Sequence, residues 1–342
     1  MTNHYLPIPS FFNPHQVGGV WRVPYQQRAT QAAHWAKSHQ IKPAAKDQTR
    51  ICLLLIDVQN TFCIPEFELF VGGTSGNGAV EDNIRLCEFI YRNLNVITQI
   101  ASTMDTHTAM QIFHPIFWIN DAGQHPEPMT SITLEDIELG IWKINAAVVH
   151  SLAQGNEEIL TQHALHYARQ LSQNGKYSLI IWPYHSMLGG IGHALVSSVE
   201  EALFFHNIAR SSQTHFEIKG EHPLTENYSI FRPEVIQGVS GKILAPKNTR
   251  FLEKILAFDA VIIAGQAKSH CVAWTIDDLL TDIREKDPRL AKKVYLLEDC
   301  TSPVVVPGVV DYSDVADAAF KRFADAGMHI VKSTDSFLIE RS

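Results

Sequence analysis

Residues 50–57 read RICLLLID, with six consecutive apolar residues, Ile51 to Ile56, between two charged ones. A short unbroken apolar run marks a strand buried on both faces, the kind found in parallel sheets. The glycine-rich loop GGTSGNG follows at 72–78. Beyond it, Val80, Ile84, Cys87, Tyr91 and Leu94 recur at three- and four-residue steps, which predicts a helix over about 80–95. Further strands are expected at Asn95–Met104, Ser178–Trp182, His215–Ile218, Ala260–Gly265, Lys293–Leu297 and His329–Lys332. Helices are expected at about 156–173, 193–205, 270–285 and 313–326. This alternation predicts an α/β fold: a doubly wound, Rossmann-like, mostly parallel sheet with helices on both faces. Residues 1–48, rich in Pro, His and Gln and with a helix expected over Pro24–Ser38, are read as an extension packed on the main domain. Residues 49–342 form that domain, interrupted by an insertion at about 115–177 that carries the acidic stretch LEDIELGIWKI.

The 342 residues are 45% apolar and 19% charged, a globular balance. A net charge of −8 without any Lys/Arg run argues against a nucleic-acid partner. No apolar run approaches the roughly 18 residues that a membrane-spanning helix needs. The start MTNHYLPIPSFFNPH lacks a basic segment followed by an apolar one, so no secretory signal is expected. Five cysteines, an odd number without a CxxC pair, argue against a disulfide scaffold and for a reducing cytoplasm.

Ligands of open α/β sheets bind outside the carboxyl ends of the strands. Three reactive residues are expected there. Asp57 ends the first strand, Lys219 ends HFEIK, and Cys271 opens the helix HCVAWTIDDLL. Each has a plainer reading: a loop carboxylate capping backbone N–H groups, a solvated cation, a small buried hydrophobe. Together they make a nucleophile with its acid–base partners. A carboxylate can take the thiol proton, a lysine cation can stabilise the thiolate, and a helix start lowers a thiol pKa.

A second cluster is Asp105 and His107 in MDTH, two positions apart and therefore on one side of an extended segment. His185 in WPYHS is a candidate third metal ligand, and His114 is either an extra ligand or an ordinary loop histidine. Carboxylate and imidazole donors suit zinc, with iron or manganese as alternatives. The aromatics Phe62, Trp182 and Tyr228 fall near the same strand ends, where they either pack the core or line a flat pocket.

These residues resemble the isochorismatase-like cysteine hydrolases, and within them the nicotinamidases. The early D-x-Q element is similar to Asp57-Val58-Gln59, with Phe62 in the place of a ring-contacting Phe. The metal element D-W-H resembles Asp105-Thr106-His107, and W-P-x-H resembles Trp182-Pro183-Tyr184-His185. The lysine element resembles Lys219-Gly220 followed by Asn227-Tyr228-Ser229. The nucleophile element G-x-A-x-x-x-C-V matches Gly265-Gln266-Ala267-Lys268-Ser269-His270-Cys271-Val272. Leu296–Cys300 (LLEDC) and GMHIV resemble the closing segments. The likeness covers roughly residues 50–114 and 178–335. Thr106 in place of Trp, the long insertion and the N-terminal extension depart from it.

The resemblance implies a metal-containing amidase, a hydrolase of linear amide C–N bonds, acting on nicotinamide or a close heteroaromatic amide. Asp57, Lys219 and Cys271 would be catalytic, with the backbone N–H groups of Ala267 and Cys271 as oxyanion hole. Asp105, His107 and His185 would hold a divalent metal, zinc first, and Phe62, Trp182 and Tyr228 would contact the substrate. It also implies a cis peptide at Gln266–Ala267. The expected partner is a small-molecule amide, with a homo-oligomer allowed. The alternatives are another hydrolase of the superfamily, acting on a carbamoyl or ureido compound or on isochorismate, and a catalytically silent binding protein.

Overall fold

A computed structural model of the chain describes residues 5–175 and 177–335. Its centre is a six-stranded sheet. The strands are β1 (Ile51–Ile56), β2 (Gln99–Asp105), β3 (His215–Lys219), β4 (Ala260–Gly265), β5 (Val294–Leu297) and β6 (His329–Val331), in the order β6-β5-β4-β1-β2-β3. The β1–β2, β1–β4, β4–β5 and β5–β6 pairs are parallel. β1 and β4, in the middle, are buried at every position, as their uninterrupted apolar sequences require. The fold is α/β and doubly wound. Helices Gly78–Arg92 and Ser197–Arg210 pack together, and helix Tyr25–Ser38 lies on the second of them. Helices Ala273–Lys286 and Ser313–Asp325 form another packed pair. None of the helices among the described residues is long and apolar enough to cross a membrane.

Two compact units make up the chain. The first is built from residues up to 104, residues 194–217 and the chain from 249 onward. The second is built from 105–193 and 218–248. In the first unit the predicted helical face is the buried one: Cys87, Tyr91 and Leu94 have no exposure, and Phe11 and Phe205 both meet the Tyr91 ring edge-on. Arg28 is buried there with Glu201, Nε to Oε1 at 2.5 Å, and its guanidinium lies over the Phe11 ring.

Three expectations need correction. The second strand begins at Gln99, not Asn95, because Asn93 to Thr98 form a turn in which the Val96 and Ile97 N–H groups donate to the Asn93 carbonyl. Ser178–Trp182 contributes no strand to the central sheet. Only Leu179–Ile180 are extended, and they pair antiparallel with Ser131–Ile132 inside the second unit. Cys271 does not open an α-helix: it is the fourth residue of a π-helical turn, Lys268–Val272, from which helix Ala273–Lys286 continues.

Candidate active site

In the first unit, Ile56 of β1 is the register partner of Gly265 of β4. Asp57 and the loop bearing Cys271 therefore leave the sheet side by side, at the carboxyl ends of adjacent parallel strands. Asp57 turns the chain with a left-handed backbone, φ 48°. It is fully buried, and Thr103 on β2 grips it twice. Its N–H donates to Thr103 Oγ1 at 3.0 Å, and that hydroxyl donates to Asp57 Oδ1 at 2.5 Å. The short helix Asn60–Cys63 follows and buries Phe62.

After β4 the peptide Gln266–Ala267 is cis. Gly265, at φ +119°, has no room for a side chain: a Cβ would lie 2.1 Å from the Ile56 carbonyl oxygen. Gln266 is pinned on three sides. Its N–H donates to the Ile56 carbonyl at 2.8 Å, its Nε2 donates to Asp82 Oδ2 at 2.8 Å, and its Oε1 accepts the Ser302 N–H at 3.3 Å. Burial pushes the Asp82 carboxyl up, against the pull of its hydrogen bonds from Ser302, Gln266 and Arg85. Ala267 and Cys271 are both buried in the loop held this way.

In the second unit, Asp105 and Lys219 are the last residues of β2 and β3. One ligand atom each from Asp105, His107 and His185 lies within 4.8 Å of the others. His107 Nε2 is 2.7 Å, and His185 Nε2 3.5 Å, from the same Asp105 oxygen, Oδ2. The other carboxylate oxygen, Oδ1, accepts from Lys219 Nζ at 2.7 Å, and Lys219 also donates to the Asn227 carbonyl at 2.9 Å. Burial alone would raise the Asp105 carboxyl. The neighbouring His107 and the Lys219 cation outweigh it and hold Asp105 well below the usual carboxylate range.

The donor set fits a divalent cation. His107 Nδ1 donates to the Gly220 carbonyl at 3.1 Å, and His185 Nδ1 donates to the Pro183 carbonyl at 2.8 Å. Those contacts fix the proton on Nδ1 of each ring and turn Nε2, the ligating lone pair, toward Asp105. Burial lowers the His185 pKa and favours the neutral ring that a metal requires. His114 stands beside this set but outside it, with ring centroids 5.9 Å from His107 and 5.8 Å from His185. Its Nδ1 donates to the Ala109 carbonyl, its buried Nε2 has no hydrogen-bond partner among the described residues, and burial pulls its pKa to about 3.

Of the expected aromatics, Trp182 and Tyr228 meet in the second unit, where Trp182 Nε1 donates to the Tyr228 hydroxyl at 3.3 Å. Phe62 belongs to the first unit. Of the expected catalytic residues, Asp57 and Cys271 belong to the first unit and Lys219 to the second. Sequence reasoning missed Thr103, Asp82, Gln266 as a tether, and Glu226. Glu226 is buried, hydrogen-bonded by the Tyr228 side chain, and its carboxyl is raised well above the usual range by burial and by Glu234. Only Glu226 left a sequence signal: an acidic residue two places before Tyr228 in ENYS.

No family model and no curated protein matches the chain. Solved structures do. The yeast nicotinamidase bound to the inhibitor nicotinaldehyde is 19% identical, with 82% of this chain and 99% of that one covered and a TM-score of 0.51. A second structure of the yeast nicotinamidase is 20% identical over the same shares, with a TM-score of 0.50. At these identities the likeness is one of fold, and the chain has the α/β fold of that nicotinamidase.

Proposed function

We propose that the chain is a metal-containing cysteine amidohydrolase that converts nicotinamide, or a close heteroaromatic amide, to the acid and ammonia. The observation that carries this reading is the Ile56–Gly265 register, which brings the Asp57 turn and the Cys271 loop out of the sheet on neighbouring strands. The fold shared with the yeast nicotinamidase and the Asp105–His107–His185 donor set support it.

In this mechanism Asp57 takes the Cys271 thiol proton and Lys219 contributes the cation that favours the thiolate. The thiolate sulfur attacks the amide carbonyl, and the N–H groups of Ala267 and Cys271 hold the resulting oxyanion. The C–N bond breaks as Asp57 returns its proton to the leaving nitrogen, which departs as ammonia. Water, with Asp57 again as base, splits the thioester to the carboxylic acid and the free thiol. A divalent ion on Asp105, His107 and His185, zinc before iron or manganese, would supply a Lewis-acid position for the pyridine nitrogen. Trp182, Tyr228 and Phe62 would wall the ring, where aromatic contacts add about 0.5–1.5 kcal/mol beyond burial. A cytoplasmic setting goes with this reading, as the odd number of cysteines without a CxxC pair suggests.

Ammonia release from nicotinamide, pyrazinamide and benzamide, with metal analysis of the same sample, tests it. Nicotinamide and pyrazinamide should be hydrolysed, about one divalent metal should be bound per chain, and benzamide should react at least roughly tenfold more slowly for want of the ring nitrogen. Equal rates for nicotinamide and benzamide would remove the metal–nitrogen contact. Full activity without metal would favour a carbamoyl or ureido substrate, and no release from any amide would remove the amidase reading.

A further inference from the structure

Gln111 is fully buried in the second unit and uses its amide at both ends. Its Oε1 accepts the Thr108 N–H at 3.2 Å, which closes the turn that follows His107. Its Nε2 donates to the Gly220 carbonyl at 2.7 Å. The same carbonyl accepts His107 Nδ1–H at 3.1 Å. One carbonyl oxygen has two lone pairs and can serve both donors. Gly220 lies flush against the donor set: a Cβ there would come within 2.6 Å of His107 Cε1 and 3.1 Å of Asp105 Oδ1, and its φ of +87° suits glycine. Close approach thus demands a glycine, and a glycine leaves the following peptide plane easy to rotate. Something else has to hold the carbonyl that orients His107, and the Gln111 amide is bonded to it.

We infer that Gln111 is a positioning residue for a divalent-metal centre at Asp105, His107 and His185: it pins the Gly220 carbonyl, which in turn holds the His107 ring with Nε2 presented as a ligand. This rests on the metal-binding part of the function proposed above. Partners of this kind, one shell behind the ligands, set ring tautomer and orientation, and their loss typically weakens metal binding by about 10- to 100-fold.

The test is a Zn²⁺ titration by chelator competition on the metal-depleted protein, with Co²⁺ absorption spectra and melting of the metal-free state alongside. Two variants separate the arms. Gln111→Met removes these hydrogen bonds and the longer one from Nε2 to the His222 carbonyl at 3.5 Å. Gln111→Glu keeps an acceptor for the Thr108 N–H but sets a carboxylate oxygen against the Gly220 carbonyl, and it decides the matter alone if Gln111→Met does not fold. Both should bind Zn²⁺ about 10- to 100-fold more weakly than wild type and alter the Co²⁺ ligand-field bands. Wild-type Zn²⁺ affinity, within twofold, in folded variants whose only change is a lower melting temperature would reduce Gln111 to a structural residue and overturn the inference. A wild-type protein that binds neither ion would overturn the metal-binding reading, and this inference with it.

Discussion

Gln266 illustrates how a residue outside the proposed chemistry can hold in place one within it. Its amide is tied to Asp82, 184 positions earlier in the chain, and to the Ser302 backbone, so the cis-linked Ala267 that follows it is held from both sides. Gln266→Leu removes both ties and takes one of the hydrogen-bond partners from the buried Asp82, which keeps Ser302 and Arg85. The expected outcome is a fall in kcat of about 10- to 100-fold with KM nearly unchanged, since a misplaced oxyanion donor is missed only in the transition state. Iodoacetamide should still alkylate Cys271. Steady-state kinetics on the amide substrate checks this, and an unchanged kcat would deny the loop its role. Asp57, Cys271, Asp105, His107 and His185 are legible in the sequence as candidates, reactive types at or a few residues past a strand, and the last three are gathered within 4.8 Å of one another. Gln266, Asp82 and Gln111 are not. Their partners are brought to them by the fold, and no local pattern announces a contact across most of the chain.

At the scale of the element, the central strands are legible for a physical reason. A strand covered on both faces must be apolar throughout, and Ile51–Ile56 and Ala260–Gly265 are. The apolar stretch at 178–182 carries the same signal, yet it pairs antiparallel with Ser131–Ile132. An apolar run tells that backbone is buried but not which strand it joins. The π-helical turn at Lys268–Val272 is likewise hidden, because its apolar spacing differs from an α-helical start by a single residue. Where β1 and β4 end together, the Ile56 carbonyl accepts the Gln266 N–H over a Gly265 that offers it no side chain. Gly265→Ala drives a methyl to 2.1 Å from that oxygen at a φ of +119°. Overpacking and backbone strain together predict a loss of about 3 kcal/mol or more, read as a lower urea midpoint. A midpoint within error of wild type would mean that the two strand ends are not joined as described.

For the molecule as a whole, buried neutral histidines contribute to the response to acid. His206 is fully buried, donates from Nε2 to the Ile97 carbonyl, and has its pKa pulled down to about 4, first by burial. His270 is pulled by burial to about 3. In the unfolded chain a histidine titrates near 6.5, so between that pH and the folded values the unfolded state binds more protons. The contribution of these histidines to stability is then complete above about pH 6.5 and declines as the pH falls toward 4, by at most about 1.4 kcal/mol per pH unit for each of them. Buried carboxyls with raised pKa, Asp82 and Glu226 among them, act in the opposite sense, so the test is a difference: from pH 7 to pH 5 the urea midpoint of the wild type should lose more, or gain less, than that of His206→Gln. Identical pH slopes for the two proteins would contradict the burial of the His206 ring. The proposed chemistry rests on Cys271 as the nucleophile of an amidase. Ammonia release from nicotinamide by wild type and by Cys271→Ala, purified alike and matched by circular dichroism, tests it most directly. Steady release by the wild type and a loss of about a thousandfold or more in the variant are expected; near-equal release by the two proteins would rule out Cys271 as the nucleophile.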